Sequence, residues 1–123
     1  MSVVLVAHEP EAALAEAIRS LKNTDFLLVN SDNNAVFPFL TQNINNAKVI
    51  TYGFNTKASI TVSGISENAM QVCVQRGFNG AGGQFCEPRE FSVPIPGEAD
   101  HALTLSQTAA AIVRGICPVK NVA

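Results

Sequence analysis

FLLVNSDNNAVFPFLTQNINNAKVITYGF, residues 26–54, decides the fold class. It opens on Phe26 to Asn30, a short apolar run that reads as a buried strand. Ser31 to Asn34 then supply side chains able to cap orphan N–H groups, and Ala35 to Asn43 follows as a helix whose apolar set is Val36, Phe37, Leu40 and Ile44. Pro38 is tolerable because it falls within that helix's first turn. Lys48 to Gly53 forms the next strand, predicted to run parallel to the first. Working toward the amino terminus, Ser2 to Ala7 is a continuous aliphatic stretch, as in a parallel strand buried on both faces. Pro10 suits a first helical position, and Ala13, Leu14, Ala17, Ile18 and Leu21 recur at helical spacing. Glu11 and Glu16 lie on the other face, and Arg19 and Lys22 near the end match the helix dipole. The spacing predicts a helix over 9–22 and a strand, helix, strand crossover.

Toward the carboxyl terminus the pattern changes. Ser59 to Ile65 and Met70 to Arg76 alternate apolar and polar residues, as half-exposed antiparallel strands do, and Glu90 to Ile95 continues the alternation. GFNGAGGQ, residues 77–84, separates the last two, and Pro94 and Pro96 end the third. A final helix is expected from about His101 to Gly115, with Leu103, Leu105, Ala109, Ile112 and Val113 apolar and Gly115 as C-cap. The predicted fold is α/β: a short, mainly parallel sheet in three layers with flanking helices, then a small antiparallel three-stranded sheet and a C-terminal helix. Residues 1–123 form a single domain in this reading.

A length of 123 residues suits one ordinary domain, and 47% hydrophobic against 15% charged residues argues for a packed core over disorder. A net charge of -2 without a local Lys/Arg cluster leaves no surplus for phosphate backbones or anionic lipid, so neither nucleic acid nor membrane is an expected partner. No apolar run approaches the roughly 20 residues that span a bilayer, and MSVVLVAHEP lacks the features of a signal peptide. A cytoplasmic location is the expectation. Cys73, Cys86 and Cys117 form no CxxC pair and read as reduced thiols. No His lies near them at metal-ligand spacing, so zinc is not expected.

Six residues are candidates for binding a ligand. His8 follows the first strand, at the carboxyl end where open α/β sheets place ligands, although a His there is more often a cap or solvated. Asn30, Asp32 and Asn33 occupy the corresponding end of the second strand, suitable for a ribose, a phosphate or a metal-bound water, although such residues more often serve simply as turn and cap. Asp100 and His101, at the start of the last helix, share the ambiguity. Gly77 to Gly83 invites a phosphate-loop reading, but without a Lys-Ser/Thr ending and between antiparallel strands it reads as a hairpin connection. Cys86 is a minor candidate nucleophile, while Cys73 and Cys117 read as packing residues. No catalytic residue and no metal ligand is assigned.

Six segments in order, LLVNSDN (27–33), AKVITYGF (47–54), SITVSGI (59–65), MQVCVQ (70–75), EFSVPIPG (90–97) and TLSQTAAAIVRGI (104–116), resemble the later part of the central domain of the Mur ligases, the family that includes the folylpolyglutamate synthetases. The resemblance implies ATP-dependent amide formation with magnesium, in which a carboxylate is phosphorylated and an amine attacks the acyl phosphate. For cell-wall members it implies a UDP-linked muramic acid or its peptide as acceptor. Departures accompany it. The family's Gly-Thr-x-Gly-Lys-Thr/Ser loop does not occur and would precede residue 1. LAEAIRSL places Ile18 where the family carries a lysine that becomes carbamylated, and HEPEAAL replaces an Asp-His-Leu-Asp-like pattern. Asp100 and Leu103 stand where two asparagines near the adenine are expected, and the carboxy-terminal domain is missing. The expectation is therefore a truncated Mur-ligase-like domain, inactive alone and without ATP or magnesium of its own. The alternative is a stand-alone module that binds a nucleotide, a nucleotide sugar or a protein. Because family strands lie beyond the one matching Ser2 to Ala7, a homodimer or partner protein is expected at that edge.

Overall fold

In the computed structural model, which describes residues 3–43, 47–95 and 100–115, the run that decides the fold class forms two adjacent parallel strands. Strand β1 is Val4–Ala7, helix α1 Ala12–Arg19, β2 Phe26–Asn30, α2 Val36–Asn43 and β3 Lys48–Tyr52. The later elements are β4 Ile60–Ile65, β5 Ala69–Val74, β6 Phe78–Asn79, β7 Phe85–Cys86, β8 Arg89–Pro94 and α3 His101–Arg114. Among the described residues, no helix is long and apolar enough to cross a membrane.

The sheet corrects the predicted fold class. The antiparallel strands do not form a separate sheet; β1-β2-β3-β4-β5-β8 is one mixed six-stranded sheet, and only the β6-β7 hairpin stands apart. The junction is Tyr52 paired in parallel with Ile60. A parallel neighbour normally needs a crossover of a dozen or more residues, because the chain must return to the start of the sheet. Here β4 begins level with the point where β3 ends, so it has no return to make and a short loop suffices. Gly53 N donates to Ile60 O across this step at 3.1 Å. Beyond it β4, β5 and β8 pair antiparallel, with one bulge between Val62 and Gly64.

Alternation sorts the core into two layers. Phe26, Leu28, Ile50, Tyr52, Ile60, Met70, Val72, Val74, Phe91 and Val93 point to one face and pack against Leu105, Ala109, Ile112 and Val113 of α3. On the other face Ala7, Leu27 and Val29 pack against Ile18 of α1, Leu21 just beyond it, and Val36 and Leu40 of α2. Each Val, Leu, Ile, Phe or Met among them contributes about 1.5–3 kcal/mol when fully removed from water. The parallel half is thus three-layered as expected.

Other boundaries shift for local reasons. The first strand is half-buried instead of buried on both faces, because β1 is outermost and Val3 is exposed; Ser2 lies outside the described residues. The first helix is shorter than 9–22. Glu11 sits in extended backbone at its start without a side-chain cap, and Ser20 closes its end, its hydroxyl donating to Ala17 O at 2.8 Å. α3 matches its predicted span, capped by Asp100 and by Gly115 in the left-handed region. Leu103, expected in its apolar set, is exposed, and Ile44 lies outside the described residues.

Candidate functional site

The register that pairs Asn30 with Tyr52 brings the last residues of β2 and β3 side by side, and His8 follows β1 on the same face. These three side chains interlock. Asn30 is buried, and its amide orientation is fixed because Asp32 N donates to Asn30 Oδ1 at 3.0 Å. Asn30 Nδ2 therefore faces His8, donating to His8 O at 3.2 Å and lying 3.4 Å from His8 Nδ1. Tyr52 Oη stands 2.6 Å from the same nitrogen. Burial, aided by the charge of Asp32, pushes the Tyr52 hydroxyl far above its ordinary 10, so it keeps its proton. The imidazole is thus held on its Nδ1 side by the hydroxyl and the amide, and its Nε2 side is left toward the surface.

The loops beyond these strand ends are pinned with equal economy. Ser31 N and Ser31 Oγ both donate to Tyr52 O, at 2.8 and 3.1 Å. Asp32 spends both carboxylate oxygens on backbone, accepting from Phe54 N at 2.6 Å and Asn55 N at 3.0 Å. Asn55 Nδ2 in turn donates to Ser31 O at 3.2 Å. A Cβ on Gly53 would lie 2.8 Å from Asp32 Oδ1 and from Ser31 Oγ, which is why glycine stands there. Asn33 Oδ1 accepts from Ala35 N at 3.0 Å at the start of α2. Asn30, Asp32, Asn33 and His8 are thus brought to one end of the parallel strands, and the first three serve the turn. Asp100 Oδ1 accepts from Ala102 N at 2.9 Å as the α3 cap, and His101 is exposed beside it.

His8 borders a depression of about 450 Å³ between β1 and α3. Val6, Leu103 and Ala110 form its apolar wall, and Ser106, Gln107 and Arg114 complete it with His8. Neither Asp100 nor His101 lines it. Ser106 Oγ donates to Leu103 O at 2.8 Å and can only accept from a ligand, which leaves the imidazole, the amide and the guanidinium as the donors.

The glycine-rich segment forms the β6-β7 hairpin and lies against the carboxyl end of α3. Ala81 N donates to Val113 O at 2.7 Å, satisfying one of the carbonyls that a helix end leaves unpaired. A Cβ on Gly80 would lie 2.8 Å from Val113 O, and the Gln84 amide packs over Gly80, Gly82 and Gly115. The glycines therefore permit close approach to a helix C-terminus, where the partial charge is negative and repels phosphate. This segment therefore does not cradle a phosphate, and each Asp32 carboxylate oxygen accepts from one backbone N–H. Among the described residues, no three His, Cys, Asp or Glu side chains come together to hold a metal.

Cys73 and Cys86 are half-buried free thiols, and Cys117 lies outside the described residues. Burial pushes both described thiols up, with Arg89 offsetting part of the effect at Cys86, so neither is held as a thiolate. Tyr52 and Asn55 are the site residues that sequence reading passed over. Tyr52 ends a strand parallel to the one that Asn30 ends, and that register is what could have found it. Compared with known proteins, the sequence matches no family model and no curated protein.

Proposed function

We propose that this chain is a non-catalytic binding domain on a Mur-ligase-like α/β scaffold, and that it holds a nucleotide or nucleotide sugar in the depression between β1 and α3. One observation carries the reading: a His8 ring held by Tyr52 Oη at 2.6 Å stands at the mouth of a partly apolar depression, at the carboxyl end of parallel strands. An apolar wall with a few fixed polar groups suits a flat heterocycle that also offers hydrogen-bonding edges. Gln107 can both donate and accept toward a base, and Arg114 can pair with a phosphate. Binding is favoured over ligation because the polar side chains at this end are spent on one another and on backbone. Phosphoryl transfer needs a cradle of cations and backbone donors around the phosphates, and no ligase step is assigned to these residues.

A thermal-shift titration tests this. ATP with and without magnesium forms one arm and UDP-linked sugars the other. Stabilisation should grow with ligand concentration, reaching about 2.7 kcal/mol at a hundredfold excess over Kd. Gln107→Ala and Arg114→Ala should each weaken it. Titrations that leave the midpoint unmoved in both arms reject the nucleotide reading.

A second proposal concerns β1, the outermost strand of the sheet. Its outer edge can pair with another strand, and a second copy of this chain is the partner we assign to it.

A further inference from the structure

The sheet has a second depression on the face opposite His8. Thr51 alternates with Tyr52 and so points away from α3, to the side where Val49 is exposed. There a depression of about 550 Å³ is lined by Ser31, Thr51, Asn55, Thr56, Lys57 and Arg76. Two of these six carry a positive charge, three carry hydroxyls, one carries an amide, and none is acidic. For a chain of net charge -2, that concentration of cations in one concavity is uneven. Asp32 adjoins Ser31, yet its oxygens are turned to Phe54 N and Asn55 N and it does not line the depression.

The rim is also held in shape. Lys57 N donates to Asn55 Oδ1 at 2.7 Å, closing the loop on itself. Gln75 Nε2 donates to Thr56 O and Ala58 O, each at 2.7 Å, and Arg76 Nη2 donates to Lys57 O at 3.2 Å. Residues just past β5 therefore fasten the loop that carries Lys57. Arg76 spends one of its five donors on this and keeps the others. Cations on a loop that is already ordered lose less entropy on binding than cations on a free one.

We infer that this depression binds a phosphate group through Lys57 and Arg76, with the Thr56 hydroxyl as a further donor. Charge-assisted hydrogen bonds from two cations to one oxyanion are the strong kind, and guanidinium matches phosphate geometry. The group can come as inorganic phosphate or as a phosphomonoester. The site lies across the sheet from His8 and does not depend on the nucleotide reading, so a probe without a base tests it alone.

The test is an NMR titration of the full chain with inorganic phosphate, with glycerol phosphate as a second arm and chloride at matched ionic strength as the control. Amide resonances of residues 55–57 and 75–76 should shift saturably with phosphate and stay put with chloride. The tighter arm identifies the source of the group. Lys57→Gln, which removes a charge but none of the loop's hydrogen bonds, should weaken binding about tenfold, the effect of losing one charge-assisted contact. Lys22→Gln, a cation elsewhere on the surface, should leave it unchanged. Shifts that chloride reproduces, or a Lys57→Gln protein that binds phosphate as the wild type does, overturn the proposal.

Discussion

Asp25 accepts hydrogen bonds from Val3 N at 2.9 Å and Lys22 N at 2.7 Å, while its backbone oxygen takes Lys48 N at 3.0 Å. One buried residue thus ties the starts of β1, β2 and β3 together, as Asp32 ties the loops beyond the ends of β2 and β3. The two backbone donors, first Lys22 N and then Val3 N, hold the Asp25 carboxyl below its ordinary 3.8. A carboxyl depressed in the folded state stabilises the fold fully above its unfolded value, and that contribution is lost as pH falls through the folded one. Asp25→Asn should therefore lower the melting temperature at neutral pH. The gap to wild type should close as pH drops below about 4, the unfolded carboxylate value. A gap that persists unchanged into acid would mean the charge is not what matters. Sequence reading marked Asp32 for chemistry and passed over Asp25, because a carboxylate in a turn looks alike whether it meets ligand or backbone. Which it meets is fixed by the approach of Phe54 and Asn55 from the next strand, a long-range fact.

At the scale of elements, the legible features were those whose cause is local. Asp100 and Gly115 bound α3, and the strand Phe26–Asn30 has its predicted limits, because capping chemistry and an uninterrupted apolar run act over a few residues. The step from β3 to β4 was not legible. Alternation in Ser59 to Ile65 reveals that one face is buried, but not which strand lies alongside. The glycine-rich segment is legible as a hairpin, but not as the separate two-stranded sheet it forms, whose reason lies in the end of α3, distant in sequence. That reason yields a contrast. Gly80→Ala places a Cβ against the backbone oxygen of Val113, which cannot swing aside as a side chain would. It should cost about 1–3 kcal/mol in urea unfolding, the usual penalty of overpacking. Gly64→Ala, in β4, meets nothing within 4 Å and should stay within about 0.5 kcal/mol of wild type. Equal effects at the two positions would remove the packing explanation for the hairpin's composition.

The whole molecule is lopsided in a way that bears on its association. α3 covers one face of the sheet across both halves, whereas among the described residues the buried side chains of α1 and α2 pack on the first two strands of the other. Antiparallel β8 ends one side of the sheet with Glu90 and Ser92 exposed, a polar edge that discourages further pairing. β1 ends the other side with the residues VLVA and an exposed Val3 before it, and neither charge nor proline guards it. Parallel strands are normally covered, and edges left aliphatic invite a partner strand. If a second copy pairs there, sedimentation should show a dimer, and the β1 amides that face away from β2 should exchange slowly, Val3 aside because its N–H already reaches Asp25. Val3→Lys adds the kind of charge that protects natural edges. It leaves intact the backbone bonds of Val3 to Asp25 and Phe26, so it should yield a monomer of nearly unchanged melting temperature. A wild-type chain that sediments as a monomer, with fast exchange along β1, would show that the short length of this edge is protection enough.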